Sequence, residues 1–258
     1  MHLTRFRFNT ARPGARRLLT SPQSLHAAVM SSFPHLLPTD SGIGDGPRVL
    51  WRLDRNPPAE VLLYVVSPDQ PDMTHLVEQA GWPAVATAEA PGWQSRPYSP
   101  FLDRLNEGSN WAFRLTANPV HHIRRKDGEP TKRTAHLTTT HQIGWLLDPG
   151  RQERSGFLIR EKPAGKRLLP AGTGHRNSQH GGDQYELTVR DQRNLSFTKH
   201  GSDAASRQHR VTLVTVTYDG RLTVTNPERL RATLTQGLGK AKAYGCGLMT
   251  LVPLTTAE

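Results

Sequence analysis

The sequence predicts an α+β chain made of two ferredoxin-like (RRM-like) βαββαβ domains in tandem. Three observations carry that expectation. Residues 2–80 spell strand, helix, strand, strand, helix. Residues 111–118 alternate apolar and polar side chains as a one-sided strand does. The last seventy residues read as two long strands, a helix and a closing strand. At 258 residues the chain can bury two small cores, and no visible repeat relates the halves.

In residues 2–8, Thr4, Phe6 and Phe8 alternate with Arg5 and Arg7. The ARPGARR run that follows reads as a basic loop, because Pro13 and Gly14 interrupt a helix. Ser21-Pro22 is a helix start, and Leu25, Val29 and Phe33 supply its apolar stripe. Apolar runs at 49–54 and 61–66 flank Asn56-Pro57-Pro58, a predicted hairpin. Residues 72–80 predict a second helix. Residues 81–100, rich in Pro, Gly and Ala, read as a connector. The domains are therefore expected at 1–100 and 106–258.

The second half opens with Trp111, Phe113, Leu115 and Ala117 facing one way and Ala112, Arg114, Thr116 and Asn118 the other. Pro119 ends this strand, and His121, His122, Arg124 and Arg125 lead into a basic loop. A helix is predicted over 139–147, while 149–185 shows no clear element. Residues 187–199 and 210–218 read as long strands, and Asp219-Gly220 predicts a sharp turn into Leu222 and Val224. Asn226-Pro227 then opens a helix bearing Leu230 and Leu234, Gly237 stands where it stops, and 248–254 closes the sheet.

A formal net charge of +11 and a pI near 10.4 point to a polyanionic partner. The charge is uneven. Residues 1–40 carry five Arg against one acid, 41–110 five Arg against nine acids, and 111–258 carry 23 Lys and Arg against 12 acids. A localised excess beside an acidic middle favours nucleic acid over a merely solvated exterior. The lone Cys246 excludes an internal disulfide and a Cys-based zinc site, and fits a reducing cytoplasm. No stretch has the length and apolarity of a membrane span. The Arg-rich N-terminus has the composition of a transit peptide, but its strand alternation places it in the fold.

Between the last helix and last strand, Gly237, Gly239, Gly245 and Gly247 are interleaved with Lys240 and Lys242. Glycine lets backbone N–H groups approach a ligand closely, and two lysines favour an anion. The segment reads equally well as a phosphate-backbone site or as a helix C-cap and turn. It is neither a P-loop nor a dinucleotide fingerprint, which place their glycines between a strand and a following helix. Metal chemistry has little support: there is no H-E-x-x-H, Cys pair or dense carboxylate cluster. Adjacent His121 and His122 point to opposite sides of a strand, and His136 and His141 are off helical spacing. No metal or cofactor is expected.

Together these segments resemble the CasE-type CRISPR endoribonuclease family. The terminal run GLGKAKAYGCGLMTLVPL is similar to the family's Gly-rich segment, and RLTANPV at 114–120 to its Arg-Leu-x-Ala-Asn-Pro stretch. The first strand, the Arg16-Arg17 pair and the helix bearing His26 match in order and spacing. So do the aromatic-acid-Gly and NPE motifs between Tyr218 and Glu228. The resemblance spans the chain and is weakest over 35–48, 81–105 and 149–185. It implies the tandem ferredoxin-like fold and metal-independent cleavage of the CRISPR repeat stem-loop in precursor RNA. It further implies 2′,3′-cyclic phosphate and 5′-hydroxyl ends, and an enzyme that stays on its crRNA product beside the other Cascade subunits.

RNA carries its own nucleophile, the 2′-OH; cleavage then needs a base, an acid and positive charge. Histidine titrates near neutral pH and suits either proton task. The resemblance puts His26 at the catalytic position. Taken alone, one of twelve histidines at the border of a helix stripe reads as a surface residue bonded to a neighbour. Three residues earlier the family pattern has a tyrosine that acts with this histidine. Here Gln23 can orient a phosphate or hydroxyl but cannot exchange protons at useful pH. For RNA binding the resemblance implies Arg16, Arg17, His121 and Arg133, and the basic hairpin residues Arg190, Arg193, Lys199, His200, Arg207 and Arg210. Gly237, Gly239, Lys240 and Lys242 belong to the loop that seats RNA. The deep A-form major groove suits a projecting basic ribbon that tracks phosphates. A non-catalytic RNA-hairpin-binding subunit, with Gln23 marking a lost site, is the alternative class; a basic ribosome-associated or DNA-binding protein is a third.

Overall fold

The computed structural model describes residues 1–34, 48–87, 89–124, 131–167, 183–199 and 209–254. Within them are two compact units. The first comprises Met1–Arg104, Thr235–Gly237 and Ala241–Leu248; the second comprises the rest, including Leu238–Lys240.

The first unit holds β1 (His2–Phe8), α1 (Pro13–Thr20), α2 (Pro22–Met30), β2 (Leu50–Asn56), β3 (Glu60–Ser67), α3 (Thr74–Ala80), β4 (Trp93–Pro97) and the short α4 (Ser99–Leu102). Its antiparallel sheet runs β2-β3-β1-β4, the ferredoxin-like order. Central β1 buries Thr4, Phe6 and Phe8 and exposes Arg5 and Arg7. Leu25 and Val29 of α2 join Phe6, Leu63, Val65 and Leu76 in one core. Burying each such side chain contributes about 1.5–3 kcal/mol.

Two expectations need correction in this unit. The ARPGARR stretch is helical from Pro13, whose missing N–H costs nothing in a first turn. Gly14 does not break α1. A Cβ there would come 2.2 Å from the Gln79 carbonyl oxygen, so glycine permits the close approach of α1 to α3. The supposed connector contains β4, paired with β1 from His2 opposite Pro97 to Phe6 opposite Trp93. As an edge strand, β4 buries none of its five residues and carries no apolar alternation to betray it.

The second unit holds β5 (Asn110–Ala117), β6 (Val120–Ile123), β7 (Lys132–Ala135), α5 (Thr139–Leu147), α6 (Pro149–Ser155), β8 (Phe157–Ile159), β9 (Leu187–Lys199), β10 (His209–Val224), α7 (Pro227–Gln236, whose last two residues pack with the first unit) and β11 (Met249–Pro253). The sheet order β11-β5-β10-β8, with β9 also on β10, repeats the ferredoxin-like plan. β8 and β9 follow one another along the edge of β10 opposite β5. The segment after Pro119 is not simply a loop, since β6 pairs with β7. The stretch from 149 that showed no clear element contributes α6 and β8.

Asp219-Gly220 is not a turn. β10 runs straight through it, with Gly220 opposite Phe113 on one side and Leu187 on the other. A Cβ on Gly220 would meet the Glu186 carbonyl oxygen at 2.5 Å and the Phe113 ring at 2.9 Å, so glycine marks a close approach within a strand. No helix among the described residues is long and apolar enough to cross a membrane.

Candidate active site

α2 starts at Ser21, whose hydroxyl oxygen accepts from the Ser24 backbone N–H at 3.2 Å, with Pro22 in the first turn. Leu25 and Val29 fix the buried face, which leaves His26 half-buried at its rim. Gln23 lies one turn before it on the same side, also half-buried. Arg16 and Arg17 are exposed on α1, the latter's carbonyl accepting from the Thr20 hydroxyl at 3.0 Å.

β2 delivers Trp51 to this histidine. Its indole Nε1–H donates to Nδ1 of His26 at 3.3 Å, and the residue is only 2% exposed. Burial moves the His26 pKa below its ordinary value, so the imidazole is neutral at neutral pH. Nothing in the sequence singled out Trp51, because its partner lies 25 residues away and only the sheet register brings the two together.

The Gly/Lys segment is an ordered turn with two sets of contacts. Lys242–Tyr244 forms one 3-10 turn between two left-handed residues, Ala241 (φ 63°) and Gly245 (φ 80°), and packs on α2 and β2. The glycines admit side chains rather than leaving open space. A Cβ on Gly237 would meet Leu50 at 2.8 Å and the Lys242 stem at 3.1 Å; one on Gly245 would meet the Trp51 ring at 2.6 Å. Gly239 and exposed Lys240 pack with the second unit, Gly239 beside the Trp145 ring. Beyond the turn, the Leu248 carbonyl accepts from buried Arg52 at 3.2 Å. The Arg52 guanidinium is also held by Asp54 at 2.7 and 3.0 Å.

In the second unit, Arg133 is exposed on β7 opposite His122. The His121 ring stacks on His136 with centroids 4.3 Å apart, and His136 lies 5.8 Å from His141. The His121 Nδ1 and Asn118 Oδ1 atoms are buried without a hydrogen-bond partner among the described residues. No group of three or more His, Cys, Asp or Glu among the described residues is arranged to hold a metal.

Arg193 and Arg210 are exposed on the β9–β10 ribbon, with Arg210 donating to the Ser196 hydroxyl at 2.7 Å. Arg190 is tied down: its guanidinium reaches Asp219 at 2.6 Å and Asp191 at 2.6 Å, while Arg114 grips the other Asp219 oxygen at 2.6 Å. Burial pushes the Asp219 carboxyl up, but hydrogen bonds and charge from Arg114 and Arg190 outweigh it and hold the pKa below its ordinary value. Lys199 ends β9, and its side chain lies outside the described residues, as do His200 and Arg207.

A family described as CRISPR associated protein matches residues 1–253. Over 259 residues the chain is 29% identical to the CRISPR-associated endoribonuclease Cse3 of Thermus thermophilus, with 98% of this chain and 100% of the relative covered. It is 26% identical over 215 residues to the Cascade subunit CasE of Escherichia coli, covering 80% and 89%. The solved structure of Thermus thermophilus Cse3 bound to an RNA representing a pre-cleavage complex matches with a TM-score of 0.67, 26% identity and 98% of both chains. The family match takes in both ferredoxin-like units, the His26 helix and the Gly-rich segment, and the chain therefore belongs to the CRISPR-associated proteins, as a CasE-type endoribonuclease.

Proposed function

We propose that this protein cuts precursor CRISPR RNA at the base of the repeat stem-loop, in the cytoplasm and without a metal, and stays on the product as a Cascade subunit. The observation that carries the reading is the neutral, half-buried imidazole of His26 at the rim of α2, in a chain of CasE type. In the reaction the 2′-oxygen forms a bond to the adjacent phosphorus as the bond from phosphorus to the 5′-oxygen breaks. The 2′-OH loses its proton and the leaving 5′-oxygen gains one. The products are a 2′,3′-cyclic phosphate and a 5′-hydroxyl. The RNA supplies the nucleophile, so no metal-bound hydroxide is required. His26 serves at the scissile phosphate, and Gln23 orients phosphate or hydroxyl by hydrogen bonds.

The binding reading assigns phosphate contacts to Arg16 and Arg17 on α1, to Arg193, Lys199, His200, Arg207 and Arg210 of the long ribbon, and to Arg133, His121, Lys240 and Lys242. Gly237 and Gly239 shape the last loop. Arg190 joins this set by exchanging its carboxylate partners for phosphate. The names of the two curated relatives, an endoribonuclease and a Cascade subunit, support both halves of the proposal.

Incubating the full chain with a repeat stem-loop RNA in EDTA, and mapping the product ends, tests it. Cleavage leaving a cyclic phosphate is the expected result; no cleavage, or cleavage abolished by the chelator, sinks the metal-free reading. Gln23 in place of a protic side chain favours one rival, a hairpin-retaining subunit without catalysis. Tight binding of RNA that stays intact would establish that rival.

A further inference from the structure

Trp51 has no part in the chemistry described so far, yet it is the one side chain seen to hydrogen-bond His26 among the described residues. We infer that Trp51 is a positioning residue that holds His26 in its Nε2–H tautomer, so that the imidazole meets RNA as a hydrogen-bond donor. The inference rests on the nuclease reading only for its last clause.

The indole Nε1–H can donate and cannot accept. At 3.3 Å from Nδ1 it requires a lone pair there, and a neutral imidazole with a bare Nδ1 carries its proton on Nε2. The other tautomer, like the imidazolium, would set two N–H groups against each other. Trp51 cannot easily move aside. It is buried in the first core, its backbone pairs with Val65 of β3, and its ring is pressed by Gly245, where any Cβ would come within 2.6 Å. With Nδ1 occupied and Nε2 protonated, His26 has no lone pair to offer the 2′-OH. What it offers is the Nε2–H, suited to a non-bridging oxygen of the scissile phosphate as charge builds there. The 2′-OH proton then passes to water, and the leaving 5′-oxygen takes its proton from water.

The test is the ¹⁵N–¹H spectrum of the full-length protein labelled at histidine, with the His26 signals assigned by their loss in His26→Ala. The expected wild-type pattern is a protonated Nε2 and a bare Nδ1. Trp51→Phe keeps an aromatic ring against Gly245 and removes the N–H. It should mix the two tautomers, leave RNA affinity unchanged and lower the single-turnover rate by ~10-fold through lost orientation. A proton on Nδ1 in the wild type overturns the inference. So does a Trp51→Phe spectrum identical to wild type, or an unchanged cleavage rate. Should Trp51→Phe fail to fold, benzothienylalanine at position 51 preserves the indole shape with sulfur in place of N–H and is read in the same way. The tautomer is measured without RNA. A wild type that shows the expected tautomer but cuts no hairpin therefore defeats the nuclease reading and leaves Trp51's hold on His26 standing.

Discussion

Gly245 stands against the Trp51 ring so closely that a Cβ on it would lie 2.6 Å from a ring carbon. Gly245 is thereby packed behind the histidine helix, with only the Trp51 side chain between it and the imidazole. A glycine that looks like a phosphate-loop residue in the sequence acts here as a packing residue. Its φ of +80° adds a second reason for having no side chain. Gly245→Ala should lose about 1–3 kcal/mol from backbone strain alone, and more from displacing Trp51. Gly108→Ala is the control, because Gly108 shares the left-handed backbone (φ +76°) with nothing within 4 Å of its Cβ position. Denaturant titration of both variants checks this. Equal losses would show that the Trp51 contact has no energetic weight.

His26→Ala should keep RNA affinity and lose cutting by ~10²–10³-fold, the range for removing a hydrogen-bond donor aimed at charge that builds in the transition state. The measurement is single-turnover cleavage beside equilibrium binding to an uncleavable hairpin with a 2′-deoxy substitution at the cut. Substantial residual cutting would remove His26 from the centre of the mechanism.

Burial depresses the His26 pKa, and this has a signed effect on stability. The unfolded chain takes up this proton at the ordinary histidine value of about 6.5, the folded protein only at lower pH. Above that value both states are neutral and the group has no effect. As pH falls through the ordinary value towards the folded one, the unfolded state gains protons first and the native state loses stability. His26→Ala should therefore lose less stability than wild type on acidification, with the difference opening below about pH 6.5. Melting temperatures of the two proteins across that range measure it; parallel curves would contradict a depressed pKa.

Arg52 and Asp54 form an ion pair whose side chains are only 2% and 7% exposed, and Arg52 also holds the Leu248 carbonyl. Removing one partner of such a pair strands a buried charge. Asp54→Ala should cost about 3–5 kcal/mol, well beyond a surface pair. Chemical denaturation decides it, and a loss under 1 kcal/mol, roughly the surface-pair range, would mean that water reaches the guanidinium.

Much of this architecture was legible because its signals are local. Phe6 with Phe8, Leu25 with Val29, and Trp111 through Ala117 each declare a face by their spacing. The failures share another physical origin. Pro13-Gly14 and Asp219-Gly220 carry the same dipeptide chemistry whether they end an element or let another backbone come close, and only the neighbours Gln79, Glu186 and Phe113 distinguish the cases. β4 was hidden because an exposed edge strand needs no apolar alternation. At the candidate site, His26 was reached through resemblance, whereas Trp51 depends on strand register and leaves no trace in local pattern.

The guanidinium groups of the basic ribbon are unequally engaged. Arg193 is exposed there, and Arg210 is exposed and donates to the neutral Ser196 hydroxyl, whereas Arg190 is shared between Asp219 and Asp191. A guanidinium already paired with carboxylates releases fewer counterions when it meets phosphate, because part of its charge is neutralised beforehand. Each effective phosphate contact changes the slope of log K against log salt by about 0.7–0.9. Arg193→Ala and Arg210→Ala should each flatten the salt dependence of hairpin binding by about that amount, and Arg190→Ala by clearly less. Asp219→Asn removes one of the two carboxylates that hold Arg190 and should enlarge the effect of Arg190→Ala when the two are combined, with Asp191 still paired to it. Filter binding or anisotropy across a salt series reads the four single variants and the double variant. Equal flattening by Arg190 and Arg193 in the native background would show that the Asp219 pairing does not hold Arg190 back from RNA.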